Sequence, residues 1–157
     1  MSRQGVWEDE RGFTLVEVLI TIIIMGIVFA IASSTWFGAI ESRRVDSGTN
    51  QVVADLRLAN TKATNELRTW EVNLTNNTST YSIGPTGSLS SRDLDDDSTS
   101  HTVVPDTTVT VTFNPDGSAT TSPAGVNSFK IESSKDASKC HTIQITETTS
   151  RIQIVAC

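Results

Sequence analysis

The one charged side chain in the long apolar stretch of this sequence is Glu17. The stretch covers residues 13–40, and no other charge lies between Phe13 and Glu41. A carboxylate near the centre of a membrane-spanning helix costs about 2.5–3.5 kcal/mol, and less near its end. A charge kept in such a place needs a partner, so Glu17 is the first residue for which the sequence predicts a function. No catalytic motif is present, and two His and two Cys cannot form a four-ligand metal cluster without carboxylates, so we expect no enzyme and no cofactor.

The size and charge of the chain narrow the function further. Its 157 residues exclude two large domains, and a net charge of −6 argues against a non-specific nucleic-acid binder. The apolar stretch is long enough to cross a membrane core of roughly 30 Å. A secretory signal peptide, cut to leave Ser33 at the N-terminus, is the alternative, but its apolar core spans only about 7–15 residues.

The residues that open the apolar stretch favour another kind of processing. Arg11-Gly12-Phe13-Thr14-Leu15-Val16-Glu17 resembles the leader junction of type IV prepilins and type II secretion pseudopilins, in which a basic residue and Gly precede Phe-Thr-Leu-x-Glu. The resemblance implies that a prepilin peptidase cleaves after Gly12 and methylates the new amine of Phe13. It also implies that Glu17 meets the amine of a neighbouring subunit during assembly.

An apolar stripe continues beyond the membrane segment at intervals of mostly four residues, which predicts one helix over about residues 14–66. Its members are Trp36, Ile40, Val45, Thr49, Val52, Leu56, Ala59, Ala63 and Leu67. The predicted domains are a leader (1–12), a transmembrane and assembly half of the helix (13–40), an amphipathic half (41–66) and a β-rich head (67–157).

After residue 66 the composition shifts to Thr, Ser, Val and Ile with period-two alternation, which is typical of half-buried antiparallel strands. Together with the helix this predicts an α+β pilin fold, in which the long helix packs on an antiparallel β-sheet head. The predicted strands are 68–75, 79–84, 100–104, 108–113, 127–133, 141–147 and 151–156. The segment between Gly84 and Ser100 is rich in turn formers, and we expect it to be a mobile loop.

The last two strands predict a disulfide. A two-residue turn at positions 148–149 sets Ile143 opposite Ile154, and the same register sets Cys140 opposite Cys157. Residues paired across antiparallel strands are close enough for such a bond. A disulfide would place the head in an oxidising compartment; two free thiols are the alternative.

The head also resembles a narrower group. The segment Val-Thr-Phe-Asn-Pro-Asp-Gly (111–117) and the closing pattern Ile-Gln-Ile-Thr (143–146) with Arg-Ile-Gln-Ile (151–154) resemble GspH/FimT-like minor pilins and pseudopilins. Relatives that bind DNA carry Gly-Arg-x-Arg on the last hairpin, but here Ser150 and Gln153 replace two of those residues. Residues 71–157 hold five Lys and Arg against ten Asp and Glu, a net charge of −5. DNA contact therefore stays a minor alternative, through Arg151, Lys139 and Lys135 if they cluster.

Two weaker patterns remain. Asp93, Asp95 and Asp97 begin like an EF-hand loop, but Val104 stands where the bidentate Glu is needed, so a solvated acidic loop is favoured over a calcium site. Neither His101 nor His141 has an identifiable Ser, Cys or Asp partner, and we interpret both as surface or strand residues.

The sequence thus predicts a structural subunit held in the cytoplasmic (inner) membrane by a single pass, with its head on the extracytoplasmic side. Its expected partners are a prepilin peptidase and the other pilins or pseudopilins of a filament, and its departures from the major-pilin pattern favour a minor role. The alternatives are a DNA-binding minor pilin for competence and an anchored β-domain that never polymerises.

Overall fold

The computed structural model describes residues 13–95 and 102–157, except for the side chains of residues 34–37. The chain divides into two compact units after Gly38. The first unit contributes the apolar half of the helix. The second unit, Ala39–Cys157, is called the head unit below and contains the rest of the helix with every strand of the described part.

The long helix α1 (Leu15–Glu66) has a recognisable residue at each end. Thr14 is the N-cap, because its Oγ1 accepts a hydrogen bond from the Glu17 backbone N–H at 3.2 Å. At the other end Leu67 takes a left-handed conformation (φ 52°), and the Arg68 N–H donates to the Ala63 carbonyl at 3.3 Å. This Schellman geometry ends the helix where the spacing predicted. It also leaves Leu67 77% exposed, so its predicted place in the apolar stripe is wrong.

In the first unit the described side chains of α1 are exposed almost throughout, as shown by Leu15 at 81% and Ile24 at 55%. α1 is the one helix in the described part that is long and apolar enough to cross a membrane. An exposed apolar surface of this kind is unfavourable in water. The transmembrane and assembly role of residues 13–40 stays a prediction.

The described part of the head unit has nine strands. They are β1 (Trp70–Leu74), β2 (Thr80–Pro85), β3 (Ser90–Asp93), β4 (Val103–Pro105), β5 (Val109–Phe113), β6 (Ala119–Ser122), β7 (Ser128–Ser133), β8 (Cys140–Thr146) and β9 (Arg151–Ala156). They form two antiparallel sheets with the orders β3-β2-β1-β5-β6 and β4-β7-β8-β9.

Two strands were not predicted. β3 lies within the segment expected to be a mobile loop, where it pairs with β2. Its sequence Ser-Ser-Arg-Asp has no apolar alternation, because it is an edge strand held by backbone hydrogen bonds and not by burial. β6 was absent from the predicted strands, although Ala119 and Thr121 alternate inward. The predicted strand at 100–104 is observed as β4, and its residues 100–101 lie outside the described part.

A single buried core joins α1 to both sheets. The helix contributes residues of the predicted stripe, among them Val45, Val52, Leu56, Ala59 and Ala63, and the sheets contribute residues such as Phe113, Phe129, Ile131 and Ile143. Trp70 packs against this core. The side chain of Trp36 lies outside the described part.

Gly48 allows α1 to approach β4 closely. A Cβ atom on Gly48 would lie 2.9 Å from Val103 Cγ1 and 3.0 Å from the Leu94 carbonyl oxygen. The first distance is shorter than normal carbon contacts and the second is unusually tight, so a larger residue here would force Val103 or the Leu94 carbonyl to shift.

Candidate functional site

The N-terminal end of α1 carries the residues that the sequence assigned to processing and assembly. Phe13 is 83% exposed, and Glu17 is the acidic residue of the first helical turn. The positive end of the helix dipole favours a carboxylate here. The spacing Thr14-x-x-Glu17 is that of a capping box, a local signal that the sequence reasoning missed. Gly12 lies outside the described residues.

The other carboxylates of α1 have partners within the chain. Glu41 Oε1 accepts from Ser133 Oγ at 2.6 Å, and Glu66 Oε1 accepts from Lys62 Nζ at 3.1 Å. Asp46 and Asp55, described below, are also paired. Glu17 is therefore the one acidic residue of α1 whose carboxylate has no partner among residues 13–95 and 102–157.

Asp55 lies in a buried polar cluster between α1 and β2. Its Oδ2 accepts from the Tyr81 hydroxyl at 2.5 Å and lies 3.3 Å from Arg92 Nε. The Gln51 amide donates to the same hydroxyl at 3.2 Å and to the Asp93 carbonyl at 2.7 Å. Burial, and then the hydrogen bond to Asp55, raise the pKa of Tyr81 well above its usual range. The cluster holds the first sheet on the helix and offers no reactive group.

His141 does have an acidic partner, so the prediction that it has none is wrong. Its Nε2 lies 2.6 Å from Asp46 Oδ1, and the two residues line an open cavity of about 220 Å³. The cavity wall also includes Ser42, Val45, Ser138, Lys139 and Cys140. In a catalytic triad, the ring nitrogen that does not contact the acid activates a nucleophile. In His141 this nitrogen is Nδ1, which is buried and has no hydrogen-bond partner in the described part of the chain. The pair therefore joins α1 to β8 and does not form a catalytic triad.

In its described part, Asp93 and Asp95, the acidic segment is not the solvated loop that was expected. Asp95 is only 5% exposed, and its Oδ2 accepts from the Thr102 N–H and hydroxyl at 3.2 and 3.0 Å, with Arg44 Nη1 at 3.8 Å. Asp93 Oδ1 accepts from the Asp95 N–H at 3.1 Å. Both carboxylates are thus engaged with protein groups, and no set of three metal ligands occurs among the described residues. Asp97 lies outside them.

The C-terminal hairpin has the predicted register. Ile143 pairs with Ile154, and the Sγ atoms of Cys140 and Cys157 form a disulfide across a Cα separation of 5.8 Å. The turn occupies residues 147–150, and Ser150 adopts a positive φ of 49° there.

The three basic residues proposed for DNA contact do not converge. Arg151 pairs with Thr146 at the turn, whereas Lys139 directly precedes Cys140 at the far end of β8. β8 has seven residues, so its two ends lie about 20 Å apart. Lys135 lies with Lys139 in the connection between β7 and β8. Arg151 also has a partner on its own strand. With the Gln153 amide turned so that its oxygen faces the guanidinium, this oxygen accepts hydrogen bonds from Arg151 Nε at 2.8 Å and from Nη2 at 2.7 Å.

Comparison with known proteins identifies the two parts of the chain. Residues 9–33 match the prokaryotic N-terminal methylation motif, which includes Gly12, Phe13 and Glu17. Residues 48–149 match the profile described as type II transport protein GspH. No curated protein and no solved structure is detectably similar to the chain. The second match covers more than half of the chain and spans most of the head unit, and the chain therefore belongs to the GspH family of type II transport proteins.

Proposed function

We propose that this chain is a minor pseudopilin: a structural subunit cut after Gly12 by a prepilin peptidase, methylated on Phe13 and inserted through α1 into a type II secretion or type IV pilus filament. Membership of the GspH family and the methylation motif support the subunit class. The observation that carries the assembly role is the contrast along α1. Every acidic residue from Glu41 onward is paired within the chain, whereas the Glu17 carboxylate has no partner among residues 13–95 and 102–157.

The physical basis of assembly is the neutralisation of Glu17. An unpaired carboxylate among lipid tails is unfavourable, whereas an ion pair in a medium of low dielectric is far stronger than in water. The methylated amine of Phe13 on an adjacent subunit supplies the opposite charge. A subunit beside a correctly placed neighbour is thus more stable than a lone subunit in the membrane.

The route and location follow from the same features. Before assembly, α1 crosses the cytoplasmic membrane once and the head unit lies on the extracytoplasmic side. The disulfide between Cys140 and Cys157 supports this, because such bonds persist in oxidising compartments. Cleavage at the motif predicts that the mature chain begins with methylated Phe13, and N-terminal sequencing with mass spectrometry measures this directly. A mature chain that begins at Ser33 would instead indicate a signal peptide.

Substitution of Glu17 tests assembly. We expect Glu17→Ala to be processed normally but to reach sheared filaments about tenfold less than wild type, since a lost ion pair worth about 1.4 kcal/mol changes an equilibrium by that factor. Glu41→Gln, which alters a carboxylate in the head unit, serves as the matched control and should assemble normally. If Glu17→Ala reached filaments as well as wild type, the assembly role of Glu17 would be refuted. If wild type itself were absent from filaments, the chain would be an anchored domain and not a filament subunit.

DNA uptake is the weaker alternative. The acidic head and the separation of Arg151 from Lys135 and Lys139 argue against a phosphate-binding surface. A gel shift with the head unit at low salt tests this, and a retarded band that vanishes in Arg151→Ala would favour the alternative.

A further inference from the structure

The two sheets of the head unit end in four edge strands, and three of these are protected against further pairing. β3 carries Arg92 and Asp93, β4 has only three residues and ends in Pro105, and β6 has four residues followed by Pro123. Charge, shortness and proline are the usual devices that prevent a sheet edge from accepting another strand. β9 carries one charge, Arg151 at its start, and from Ile152 to Ala156 it is uncharged and free of proline.

β9 also exposes an apolar side chain on each of its faces. Ile154 and Val155, whose side chains point to opposite sides of the sheet, are 41% and 42% exposed. No strand of the described part pairs with the outer side of β9, so alternate backbone N–H and C=O groups there lack a strand partner. An added strand would satisfy these groups and cover both side chains.

The disulfide makes this edge a fixed template. Cys157 follows β9 directly and is bonded to Cys140 at the start of β8. The end of β9 therefore cannot separate from the sheet. Because the edge is already ordered, a partner strand that binds there loses less conformational entropy.

We propose that the outer edge of β9 accepts an extended segment of a different pilin-like subunit, which adds a fifth strand to the sheet β4-β7-β8-β9. This inference rests on the proposed function as a filament subunit. The outer edge of β9 fits a segment that is uncharged and apolar on alternate residues. An acidic side chain of that segment would lie near Arg151, the only charged residue of β9. Strand addition of this kind obtains affinity from backbone hydrogen bonds and specificity from alternate side chains.

A second copy of this chain is a poor occupant for geometric reasons. If β9 paired antiparallel with β9 of a second copy, a two-fold axis perpendicular to the sheet would relate the two copies. The helix segments that lie on the two sheets would then run in opposite directions. Such a pair does not fit the proposed function, because the subunits of one filament share one orientation. The remaining edges of a second copy, β3, β4 and β6, are the protected ones.

Site-specific photo-crosslinking of the full chain in cells that carry its filament apparatus tests the partner. The photoreactive amino acid p-benzoylphenylalanine replaces Val155, or Thr120 on the protected edge β6 as the matched control. We expect position 155 to give one adduct, at least about tenfold stronger than any from position 120. Its cross-linked peptide should come from an extended segment of another subunit with an N-terminal methylation motif. An adduct of the chain with itself, or no adduct beyond that of position 120, would overturn the proposal.

A second experiment separates this inference from the proposed function. Val155→Lys places a charge on the open edge, and Thr120→Lys places the same charge on β6. We expect Val155→Lys to be processed and oxidised normally but to reach sheared filaments about tenfold less than Thr120→Lys. Equal incorporation of the two variants, combined with loss of Glu17→Ala, would overturn the β9 interface and leave the proposed function intact. Absence of the wild-type chain from sheared filaments would overturn both. Should Val155→Lys fail to fold, the cross-linking result alone decides.

Discussion

Removal of the Tyr81 hydroxyl should weaken the contact between α1 and the first sheet more than its single atom suggests. The hydroxyl donates to Asp55, which is 6% exposed, and Tyr81→Phe leaves that carboxylate with Arg92 as its nearest described partner. Hydrogen bonds to charged groups are worth about 1.5–3 kcal/mol. The Arg92 side chain is 46% exposed and compensates only in part. We therefore expect the free energy of unfolding to fall by about 2 kcal/mol.

Denaturant unfolding of the head unit, which contains the whole described core, measures this loss. Thr86→Val is the matched control, because its exposed hydroxyl also donates to a carboxylate, that of Glu71 at 2.9 Å. An exposed pair contributes about 0–1 kcal/mol, so this variant should differ little from wild type. The double variant with Asp55→Asn should show a coupling energy of about 1 kcal/mol or more. Equal effects of Tyr81→Phe and Thr86→Val would refute the reasoning.

The same contact predicts a loss of stability at alkaline pH. The pKa of Tyr81 is raised in the folded state above the value of about 10 that an unfolded chain has. Its contribution is therefore fully present below pH 10, and it declines above this pH by at most about 1.4 kcal/mol per pH unit. Tyr81→Phe should lack this decline. Tyr81 is the only tyrosine of the chain, so phenolate absorbance reports it alone. Phenolate that forms near pH 10 while the sheets stay intact would contradict the prediction.

Two further predictions concern packing and the disulfide. Gly48→Ala should destabilise the chain by about 1–3 kcal/mol, because its Cβ would press on Val103 and Leu94. Gly38→Ala is the control: its Cβ meets nothing within 4 Å, so it should be neutral or slightly stabilising. Thermal unfolding of the full chain in detergent measures both. Replacement of both Cys140 and Cys157 by Ser should lower the free energy of unfolding by about 3 kcal/mol. Wild type with its disulfide chemically reduced should lose the same amount. The intact mass of wild type should rise by two hydrogens on reduction, and an unchanged mass would exclude the bond.

The parts of the fold that were predictable are those fixed by local periodicity. The apolar stripe of α1 was read from its spacing, and its residues Val52 and Leu56 are fully buried. The register of the last hairpin followed from period-two alternation together with the turn position, because a shift by one residue would have exposed Ile143. Phe13 and Glu17 were identified from a contiguous motif, which needs no tertiary information.

The parts that were missed depend on contacts between distant residues. Asp46 and His141 are 95 positions apart, and neither has a local pattern that indicates the other. Asp95 was read as solvated because its neighbours are polar, yet Arg44 and Thr102 bury it. β3 escaped notice because an edge strand needs only backbone pairing.

The distribution of paired carboxylates also indicates the order of events. Glu41, Asp46 and Asp55 find their partners inside the head unit, so this unit needs no neighbour in order to fold. Glu17 is the one acidic residue of α1 left without a partner in the described part, and it lies among side chains suited to lipid. Folding of the head and assembly of the filament are then separate steps with separate electrostatic requirements. It follows that Glu17→Ala lowers incorporation without moving the unfolding midpoint of the head. A lowered midpoint in that variant would mean that the two steps are coupled and that Glu17 stabilises the subunit itself.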